Sequence, residues 1–393
     1  MSKKILNVGL IGSGFMGQAH ADAWRRSALL YRDLPLQPML HTLADATPAL
    51  AQDAARRFGF QQGTADWQAM VRDPAIDIVD ITTPNHLHVD MALAAIRAGK
   101  HVYCEKPLTV SLADAQMLVE EAERAGVQTF VAFNNIKTPA AQLAQQLIAR
   151  GDIGTPTRFR GWFDQGFFND PELPWSWRCS RQQAGSGSLG DLGSHVISVA
   201  QFLMGPIESV VGQEQIFIDT RPTPGSGSGY GAQADRDAAR LPVENDDQFQ
   251  ALVTFANRAG GIIESSRIAA GKVFGIVWEV SGTAGTLVMD GERFNELKIA
   301  RYADEKHDRG FKTLYAGSQI DAFSGFFAFD FAGGGLGYFD VKVIEIYDLL
   351  TVLSGARAPV ADFRFGLENQ RIIDAMVRSS ATGERVRIAD LSR

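Results

Sequence analysis

The segment that decides the fold runs from Ile5 to Gln18 and reads I-L-N-V-G-L-I-G-S-G-F-M-G-Q. Its first part, Ile5 to Ile11, is a short apolar run that is typical of a buried strand. Its last part leads into a helical pattern that extends from Gln18 to about Leu30. The glycine-rich stretch in the middle therefore joins a strand to a helix.

Three glycines in this turn are spaced as Gly12-x-Gly14-x-x-Gly17. Gly12 permits a tight turn, Gly14 lets the backbone approach a pyrophosphate, and Gly17 lets the helix pack closely on the strand. The N-terminus of the helix can then face the anion. The strand and helix on either side provide the context that this motif requires. The pattern predicts a dinucleotide-binding loop that includes Phe15 and Met16, with a purely structural glycine turn as the alternative.

Asp45 is the candidate for binding the ribose of the cofactor, because it ends a second predicted strand, Pro38 to Ala44. A carboxylate here repels a 2'-phosphate, and no arginine follows it directly, so we expect NAD to be preferred over NADP. Arg56 and Arg57 lie a helix away and are the residues that could offset this repulsion. As an alternative, Asp45 is the N-cap of the helix that starts near Pro48.

Strands and helices alternate through the first third of the chain, which indicates an α/β domain with a doubly wound parallel sheet. The predicted elements after the second strand are the helix Pro48 to Phe58, the strand Ile76 to Ile81, the helix Val89 to Ala98, the strand His101 to Cys104, the helix Ser111 to Ala125 and the strand Gln128 to Phe133. We expect residues 1–136 to form this Rossmann domain.

The pattern changes after about Lys137, where a helix, Thr138 to Ala149, leads into long β-rich stretches with one strong helix between Ser188 and Met204. This predicts that residues 137–393 form an α+β domain on a large, mainly antiparallel sheet. The stretch from Pro222 to Gly231 has the composition of a flexible loop. The role of residues 222–243 stays open.

Composition excludes several classes of protein. The chain has 393 residues, of which 38 are Lys or Arg and 45 are Asp or Glu, for a net charge of -7. This balance argues against a nucleic-acid-binding or membrane-surface role and favours small-molecule chemistry. Two cysteines are too few for a disulfide framework, and no apolar run is long enough to span a membrane. The short run after Lys3 and Lys4 is interrupted by glycines, so we reject a signal peptide and expect a cytoplasmic protein.

Three motifs, T-T-P-N-H-L-H, E-K-P and N-N, follow the ends of predicted strands, where ligands bind in doubly wound sheets. The lysine of E-K-P is suggestive at this edge, although a surface lysine at a turn is an equal alternative. The residues that we expect to contact the cofactor here are Thr82, Thr83, Pro84, Asn85, His88, Glu105, Lys106 and Asn134.

A metal site is a further alternative in this region, because His86, His88, His101 and Cys104 lie near one another in the sequence. Their spacings do not match a closed zinc pattern. We therefore expect no metal.

Asp191 and His195 are four residues apart in the predicted helix, so both project from one face. A carboxylate beside an imidazole suits proton transfer, because the acid orients the ring and stabilises its protonated form. The alternative is structural: Ser188 as N-cap with Asp191 three residues later forms a capping box, and His195 is a partly buried helix residue.

These motifs together resemble the Gfo/Idh/MocA family of NAD(P)-dependent sugar and inositol oxidoreductases. The matching stretches are G-S-G-F-M-G, T-T-P-N-H-L-H, C-E-K-P-L, F-N-N and D-L-G-S-H, and the resemblance covers nearly the whole chain. The S-W-R, A-G-S-G-S-L-G-D-L and G-L-G-Y runs are most similar to the levoglucosan and inositol dehydrogenase branches. Where relatives often have arginines after the F-N motif, this chain has Ile136 and Lys137, so the resemblance does not fix the shape of its substrate pocket.

The resemblance implies a catalytic set of Lys106, Asp191 and His195. It also implies a Rossmann domain followed by an open sheet whose exposed face makes subunit contacts, and hence a homodimer or homotetramer. The implied reaction is reversible oxidation of a ring secondary alcohol, in which the nicotinamide takes the hydride and the protein supplies orientation and proton transfer.

An aromatic stretch precedes the predicted catalytic helix, and its flat apolar faces suit a pyranose ring, although core packing is the more ordinary role for most of its members. The aromatics are Trp162, Phe163, Phe167, Phe168, Trp175 and Trp177. The expected substrate-binding residues are Gln165, Trp177, Arg178, Asp191 and His195. A phosphorylated substrate calls for a denser basic cluster, although Arg178 or Arg181 could clamp an anion.

The predicted function is NAD-dependent oxidation of a ring hydroxyl in a neutral cyclic polyol or sugar, such as an anhydrosugar, glycoside or inositol. Two alternatives are an NAD-sensing regulatory protein without turnover and a reductase of a keto-sugar or sugar phosphate. A pure sensor has no reason to retain Lys106, Asp191 and His195 together.

Overall fold

The computed structural model describes residues 3–226, 233–235, 237–327 and 336–392. These residues form two compact units. One unit contains the described residues up to Asn134 together with those from Asp321 to Glu368, and the other contains those from Asn135 to Ile320 together with those from Asn369 onward.

The elements of the first unit alternate between strand and helix as predicted. Up to Asn134 they are β1 (Lys4–Ile11), α1 (Phe15–Leu30), β2 (Leu36–Ala44), α2 (Pro48–Phe58), β3 (Gln62–Thr64), α3 (Trp67–Arg72), β4 (Ile78–Ile81), α4 (His88–Arg97), β5 (His101–Cys104), α5 (Leu112–Ala125) and β6 (Thr129–Val131). The sequence analysis missed β3 and α3, which are short.

The six strands form one parallel sheet in the order β3-β2-β1-β4-β5-β6. This order reverses between β1 and β4, and the crevice at the carboxyl ends of these strands is where doubly wound sheets bind ligands. The predicted fold class of this part is confirmed.

The second unit is built on a nine-stranded sheet. Its elements, followed by the remaining elements of the chain, are α6 (Pro139–Ala149), β7 (Pro156–Asp164), α7 (Arg181–Ala184), α8 (Ser194–Met204), β8 (Ile207–Gln215), β9 (Thr220–Pro222), β10 (Pro224–Ser226), β11 (Gln233–Ala234), β12 (Arg240–Pro242), β13 (Gln248–Phe255), β14 (Gly260–Ser266), β15 (Gly275–Gly282), β16 (Gly285–Asp290), β17 (Glu296–Arg301), β18 (Lys312–Tyr315), α9 (Tyr338–Leu353), α10 (Phe363–Thr382) and β19 (Val386–Arg387).

The nine strands lie in the order β18-β17-β16-β15-β7-β14-β13-β8-β19, and only β7 and β14 pair in parallel. Along β7, Phe159, Gly161 and Phe163 are buried, whereas Arg158 and Arg160 are exposed. Helices α6 and α8 cover the buried face. The predicted large, mainly antiparallel sheet is confirmed.

The division at residue 136 differs from the observed units in one respect. The described residues between 321 and 368, which contain α9, belong to the first unit, although they follow eight of the nine strands of the large sheet in the sequence. The domain boundary at residue 136 stays a prediction.

The predicted loop from Pro222 to Gly231 is partly ordered as short strands. β9 pairs with β12, and β10 pairs with β11. Residues 227–231 of this predicted loop lie outside the described residues. No helix among the described parts of the chain is long and apolar enough to cross a membrane.

Candidate active site

The glycine loop has the geometry that its sequence predicts. Gly12 has a φ of 100°, in the region that favours glycine, and its N–H donates to the Ala44 carbonyl at 2.9 Å. A Cβ on Gly17 would lie 2.1 Å from the Gly12 carbonyl oxygen, so only glycine fits there. A Cβ on Gly14 would meet nothing within 4 Å. The backbone is therefore open at Gly14, where an anion would approach.

Helix α1 begins directly after this loop. Phe15 is exposed and Met16 is partly exposed, and the first N–H groups of a helix have no carbonyl partner within it. Thr82 holds the loop from the neighbouring strand end, because its hydroxyl donates to the Gly12 carbonyl at 2.9 Å. Loop, helix N-terminus and Thr82 together fit a pyrophosphate.

Asp45 lies directly after β2 and bonds to the glycine loop. Its Oδ2 accepts hydrogen bonds from the Ser13 N–H at 2.8 Å and from the Ser13 hydroxyl. The alternative of Asp45 as a helix N-cap is wrong, because the Thr47 side chain accepts from Leu50 N–H and caps α2. The carboxylate thus lies at the strand end beside the glycine loop.

His88 has a different environment from the one we expected for a cofactor contact. It is fully buried; Nδ1 lies 3.0 Å from the Pro107 carbonyl and Nε2 lies 2.9 Å from the Thr83 carbonyl. Burial lowers the pKa of His88, and both carbonyls act in the opposite direction. The ring leaves no nitrogen for a cofactor and instead connects the Thr83-Pro84-Asn85 turn to the segment after Lys106.

Glu105 and Lys106 follow β5. The Lys106 N–H donates to Glu105 Oε2 at 3.0 Å, and the peptide bond between Lys106 and Pro107 is cis. Glu105 is buried and its other oxygen contacts His20 and Lys342. The carboxylate that we expected to contact the cofactor is therefore engaged within the protein.

The side-chain amide of Asn134 is a further candidate for binding the cofactor. The Asn134 side chain is buried beside that of Tyr338, and its Nδ2 makes no hydrogen bond of normal geometry among the described residues. A buried donor of this kind is costly unless a ligand or water completes it. This observation fits a cofactor amide or ribose at the end of β6.

The second unit carries Asp191 and His195. One turn of π-helix, Leu189–Gly193, contains Asp191 and runs directly into α8, which contains His195 in its first turn. Such turns are rare and often mark functional sites.

The predicted capping box of Ser188 and Asp191 is wrong. The Ser188 hydroxyl donates to Asp246 Oδ2 at 2.7 Å, and the same carboxylate accepts from Gly187 N–H at 2.6 Å and Leu189 N–H at 2.8 Å. Asp246, which is fully buried, therefore caps this helix from a distant part of the sequence. Asp191 is left to make other contacts.

Asp191 pairs with Arg178. The Arg178 Nε donates to Asp191 Oδ2 at 3.2 Å, and the guanidinium carbon lies 4.4 Å from the centre of the Trp177 ring. All three side chains are partly exposed. They form one surface with an aromatic face, a cation and a carboxylate.

His195 is nearly buried and lies beside Phe163, with ring centres 5.8 Å apart. Gln165 lies at the end of β7, and its Nε2 reaches the Val273 carbonyl at 3.5 Å. Trp162 lies on the opposite, open face of the sheet from Phe163, because neighbouring residues of a strand alternate.

Most of the aromatic stretch is structural. Phe168 is buried between the guanidinium groups of Arg221 and Arg267, whose carbons lie 3.8 Å and 4.7 Å from its ring centre. Trp175 donates to the Pro242 carbonyl at 2.9 Å. Of the predicted substrate-binding residues, the structure brings Trp177, Arg178 and Asp191 into contact.

The sequence analysis missed several functional candidates. Asp80 lies in the apolar strand β4, and Lys342 and Glu345 lie in the largely apolar helix α9. Charged residues in apolar elements need partners when they are buried. Their presence in these two elements was the sequence signal that could have identified them. Among the described residues, no group of three His, Cys, Asp or Glu side chains could hold a metal ion.

Comparisons with known proteins agree with this geometry. Residues 6–133 match the model of an oxidoreductase family with an NAD-binding Rossmann fold, GFO/IDH/MocA, and residues 141–288 match the model of the C-terminal domain of that family. The chain belongs to the GFO/IDH/MocA oxidoreductase family. Members are NAD(P)-dependent oxidoreductases, and this chain is one of them.

Three relatives are similar over almost the whole chain. The structure of an NAD binding oxidoreductase from Klebsiella pneumoniae is 59% identical with a TM-score of 0.91, and the match covers 98% of this chain and 99% of the other. Levoglucosan dehydrogenase from Pseudarthrobacter phenanthrenivorans is 38% identical, and the match covers 98% and 99%. A levoglucosan dehydrogenase structure in complex with NADH and levoglucosan is 37% identical with a TM-score of 0.91, over 98% and 100%.

Proposed function

We propose that this protein is an NAD-dependent dehydrogenase that oxidises a ring secondary hydroxyl of a neutral cyclic polyol or sugar to a ketone. The observation that carries the proposal is the surface of Trp177, Arg178 and Asp191 on the segment that leads into His195. An aromatic face with a few oriented polar groups suits a hydroxylated ring.

The charges around this surface favour a neutral substrate. Arg178 pairs with Asp191, and Arg181 pairs with Glu214 at 3.0 Å and also donates to the Glu244 carbonyl at 2.9 Å. Both arginines that could have clamped an anion therefore have a carboxylate partner. A phosphate ester gains less from cations that are already neutralised.

The substrate class draws support from the relatives. The levoglucosan dehydrogenase that matches the chain end to end supports an anhydrosugar as the first candidate. Myo-inositol 2-dehydrogenase from Thermotoga maritima, 26% identical over 79% of this chain, supports an inositol as the next.

Three residues act on the reacting hydroxyl in this proposal. His195 accepts the hydroxyl proton, Lys106 stabilises the developing alkoxide with its charge, and Asp191 orients His195 or a neighbouring substrate hydroxyl. Bound NAD supplies the hydride acceptor. Because each proton transfer is reversible, the same residues serve ketone reduction.

The cofactor is held by residues of the first unit. The N–H groups of Gly14, Phe15, Met16 and Gly17 face the pyrophosphate, Asp45 binds the ribose hydroxyls, and Asn134 completes its amide on the cofactor. Thr82, Thr83, Pro84 and Asn85 would contact the cofactor at the strand end, and Thr82 also holds the glycine loop.

Preference for NAD over NADP follows from Asp45 and from two arginines. Arg56 and Arg57 both bond to Asp53, at 2.6 Å and 2.7 Å, within α2. Neither is therefore available at its present position to neutralise a 2'-phosphate beside Asp45.

A homodimer or homotetramer assembles through the open face of the large sheet. The exposed side chain of Leu252 and the partly exposed Trp162 support this interface, because such apolar groups gain from burial. A cytoplasmic location also stays a prediction.

The proposal is tested by measuring reduced nicotinamide during incubation of the protein with NAD or NADP and one of four compounds. The compounds are levoglucosan, methyl glucoside, myo-inositol and glucose 6-phosphate. We expect turnover with NAD on at least one of the neutral rings. Tight NADH binding without oxidation of any of the four compounds would support the sensor instead.

A further inference from the structure

A buried cluster of charges lies directly behind Lys106 in the first unit. At its centre, Glu105 Oε1 lies 2.8 Å from Lys342 Nζ and 3.0 Å from His20 Nε2. The other oxygen, Oε2, accepts the Lys106 N–H at 3.0 Å. Lys342 and His20 are almost completely buried, so water cannot replace these contacts.

The outer members of the cluster hold the central ones in place. His20 Nδ1 lies 2.9 Å from Asp80, and Lys342 lies 3.0 Å from Glu345. Trp24 donates to Asp80 at 2.8 Å, and Tyr103 donates to Glu345 at 2.9 Å. His20 and Lys342 thus each have a second carboxylate partner.

The ionised form of Glu105 depends on these cations. Burial alone would raise the pKa of Glu105, but the charges of Lys342 and His20 outweigh burial and hold it well below its usual range. Glu105 accepts the Lys106 N–H with its full charge, which makes this a strong hydrogen bond. Loss of the Lys342 charge would remove one of the cations that keep the buried Glu105 carboxylate ionised.

We propose that Lys342 is a positioning residue for Lys106, acting through the Glu105 carboxylate that holds the Lys106 backbone. The proposal rests on the catalytic role given to Lys106 above. Lys342 is in contact with Glu105, and Glu105 with the backbone of Lys106, so two contacts link α9 to the reacting lysine.

A buried ion pair is no guarantee of stability, because well-packed apolar groups can do as well or better. The contacts of this cluster can also serve to position Lys106. It ends on the main-chain N–H of Lys106, and small displacements of a catalytic group lower the rate sharply.

The first test needs no substrate. Lys342→Met removes the charged end of the side chain and keeps an unbranched chain one heavy atom shorter. Hydrogen exchange with electron-transfer fragmentation measures the Lys106 amide alone. We expect this amide to exchange at least about tenfold faster in the variant. Lys100→Met is the matched control, because Lys100 is also buried in the first unit but donates to two backbone carbonyls, those of Asp73 and Ile76.

The second test measures kcat per NADH-binding site for Lys342→Met, Lys106→Ala and the double variant, with the best neutral substrate of the panel. We expect Lys342→Met to lower kcat about 10- to 100-fold, with the KM for NAD changed less than about threefold. In the Lys106→Ala background the same substitution should have no further effect, because its influence passes through Lys106.

The outcomes separate the two proposals. If Lys342→Met lowers kcat equally with and without the Lys106 side chain, or if the Lys106 amide exchanges as in Lys100→Met, the positioning role is wrong. If Lys106→Ala itself retains full kcat, the catalytic role of Lys106 fails, whatever the exchange rate of its amide.

Discussion

Arg178 and Asp191 form an ion pair in which Nε and Oδ2 are 3.2 Å apart and both side chains keep access to solvent. The pair connects the turn that carries Trp177 to the π-helical turn that leads into His195. A guanidinium donates hydrogen bonds and a carboxylate accepts them, so the pair presents both kinds of group. A ring hydroxyl that bonds to both would have its orientation relative to Trp177 fixed.

Arg178→Ala is therefore expected to lower kcat/KM for the neutral substrate by about 10- to 100-fold, the scale of one hydrogen bond to a charged group. Steady-state kinetics measure this effect. Arg181→Ala serves as the control, since Arg181 pairs with Glu214. If the two variants lose kcat/KM equally, the assignment of Arg178 to the substrate site is wrong.

We expect the preference for NAD over NADP to depend on Asp45. A 2'-phosphate about 4 Å from this carboxylate meets roughly 4 kcal/mol of repulsion per unit charge at an effective dielectric constant near 20. The kcat/KM of the wild type should be much higher with NAD than with NADP. The Asp45→Ser substitution should bring the two kcat/KM values closer together. Equal kcat/KM for NAD and NADP in the wild type would contradict the assignment.

The helix that carries His195 is capped by Asp246 and not by Asp191. Asp246→Ala removes a buried acceptor from two N–H groups and from the Ser188 hydroxyl, which should cost at least about 2 kcal/mol of unfolding free energy. Asp191→Ala should cost less than about 1 kcal/mol, because its ion pair is partly exposed. Thermal unfolding of both variants measures which substitution costs more unfolding free energy. A larger cost for Asp191→Ala would support the capping box of Ser188 and Asp191 instead.

His20 makes the stability depend on pH. Burial alone would lower its pKa, but Asp80 and Glu105 raise it above the usual 6.5. The native state then binds the proton more tightly than the unfolded chain. The stabilisation is complete below a pH of about 6.5 and is lost as the pH rises through the native pKa.

The Tm difference between the wild type and His20→Gln should therefore shrink from pH 6 to pH 9. Circular dichroism at several pH values measures it. A difference that is constant or grows with pH would mean that His20 is neutral in the native state.

The regular alternation of the first 133 residues explains why much of this fold is predictable from the sequence. Helix α2, at Pro48–Phe58, and strand β5, at His101–Cys104, have the predicted bounds, because apolar periodicity and caps act locally. Strand β17 was missed although E-L-K-I-A-R alternates, with Leu297 and Ile299 fully buried. That signal was present and overlooked.

Long-range partners explain what the sequence could not predict. Glu105 pairs with His20 and Lys342, which are 85 and 237 residues away. The cap of the π-helical turn comes from Asp246, 58 residues after Ser188. Only the folded chain brings these groups together, so local pattern suggested Ser188 and Asp191 as a capping box.

The assignment of proton transfer to His195 is tested most directly by kcat of His195→Ala with the best neutral substrate, alongside its Kd for NADH. We expect kcat to fall about 10²- to 10⁴-fold, the usual scale for a positioned acid or base, with the Kd for NADH nearly unchanged. Near-normal turnover of His195→Ala would contradict the proposed site.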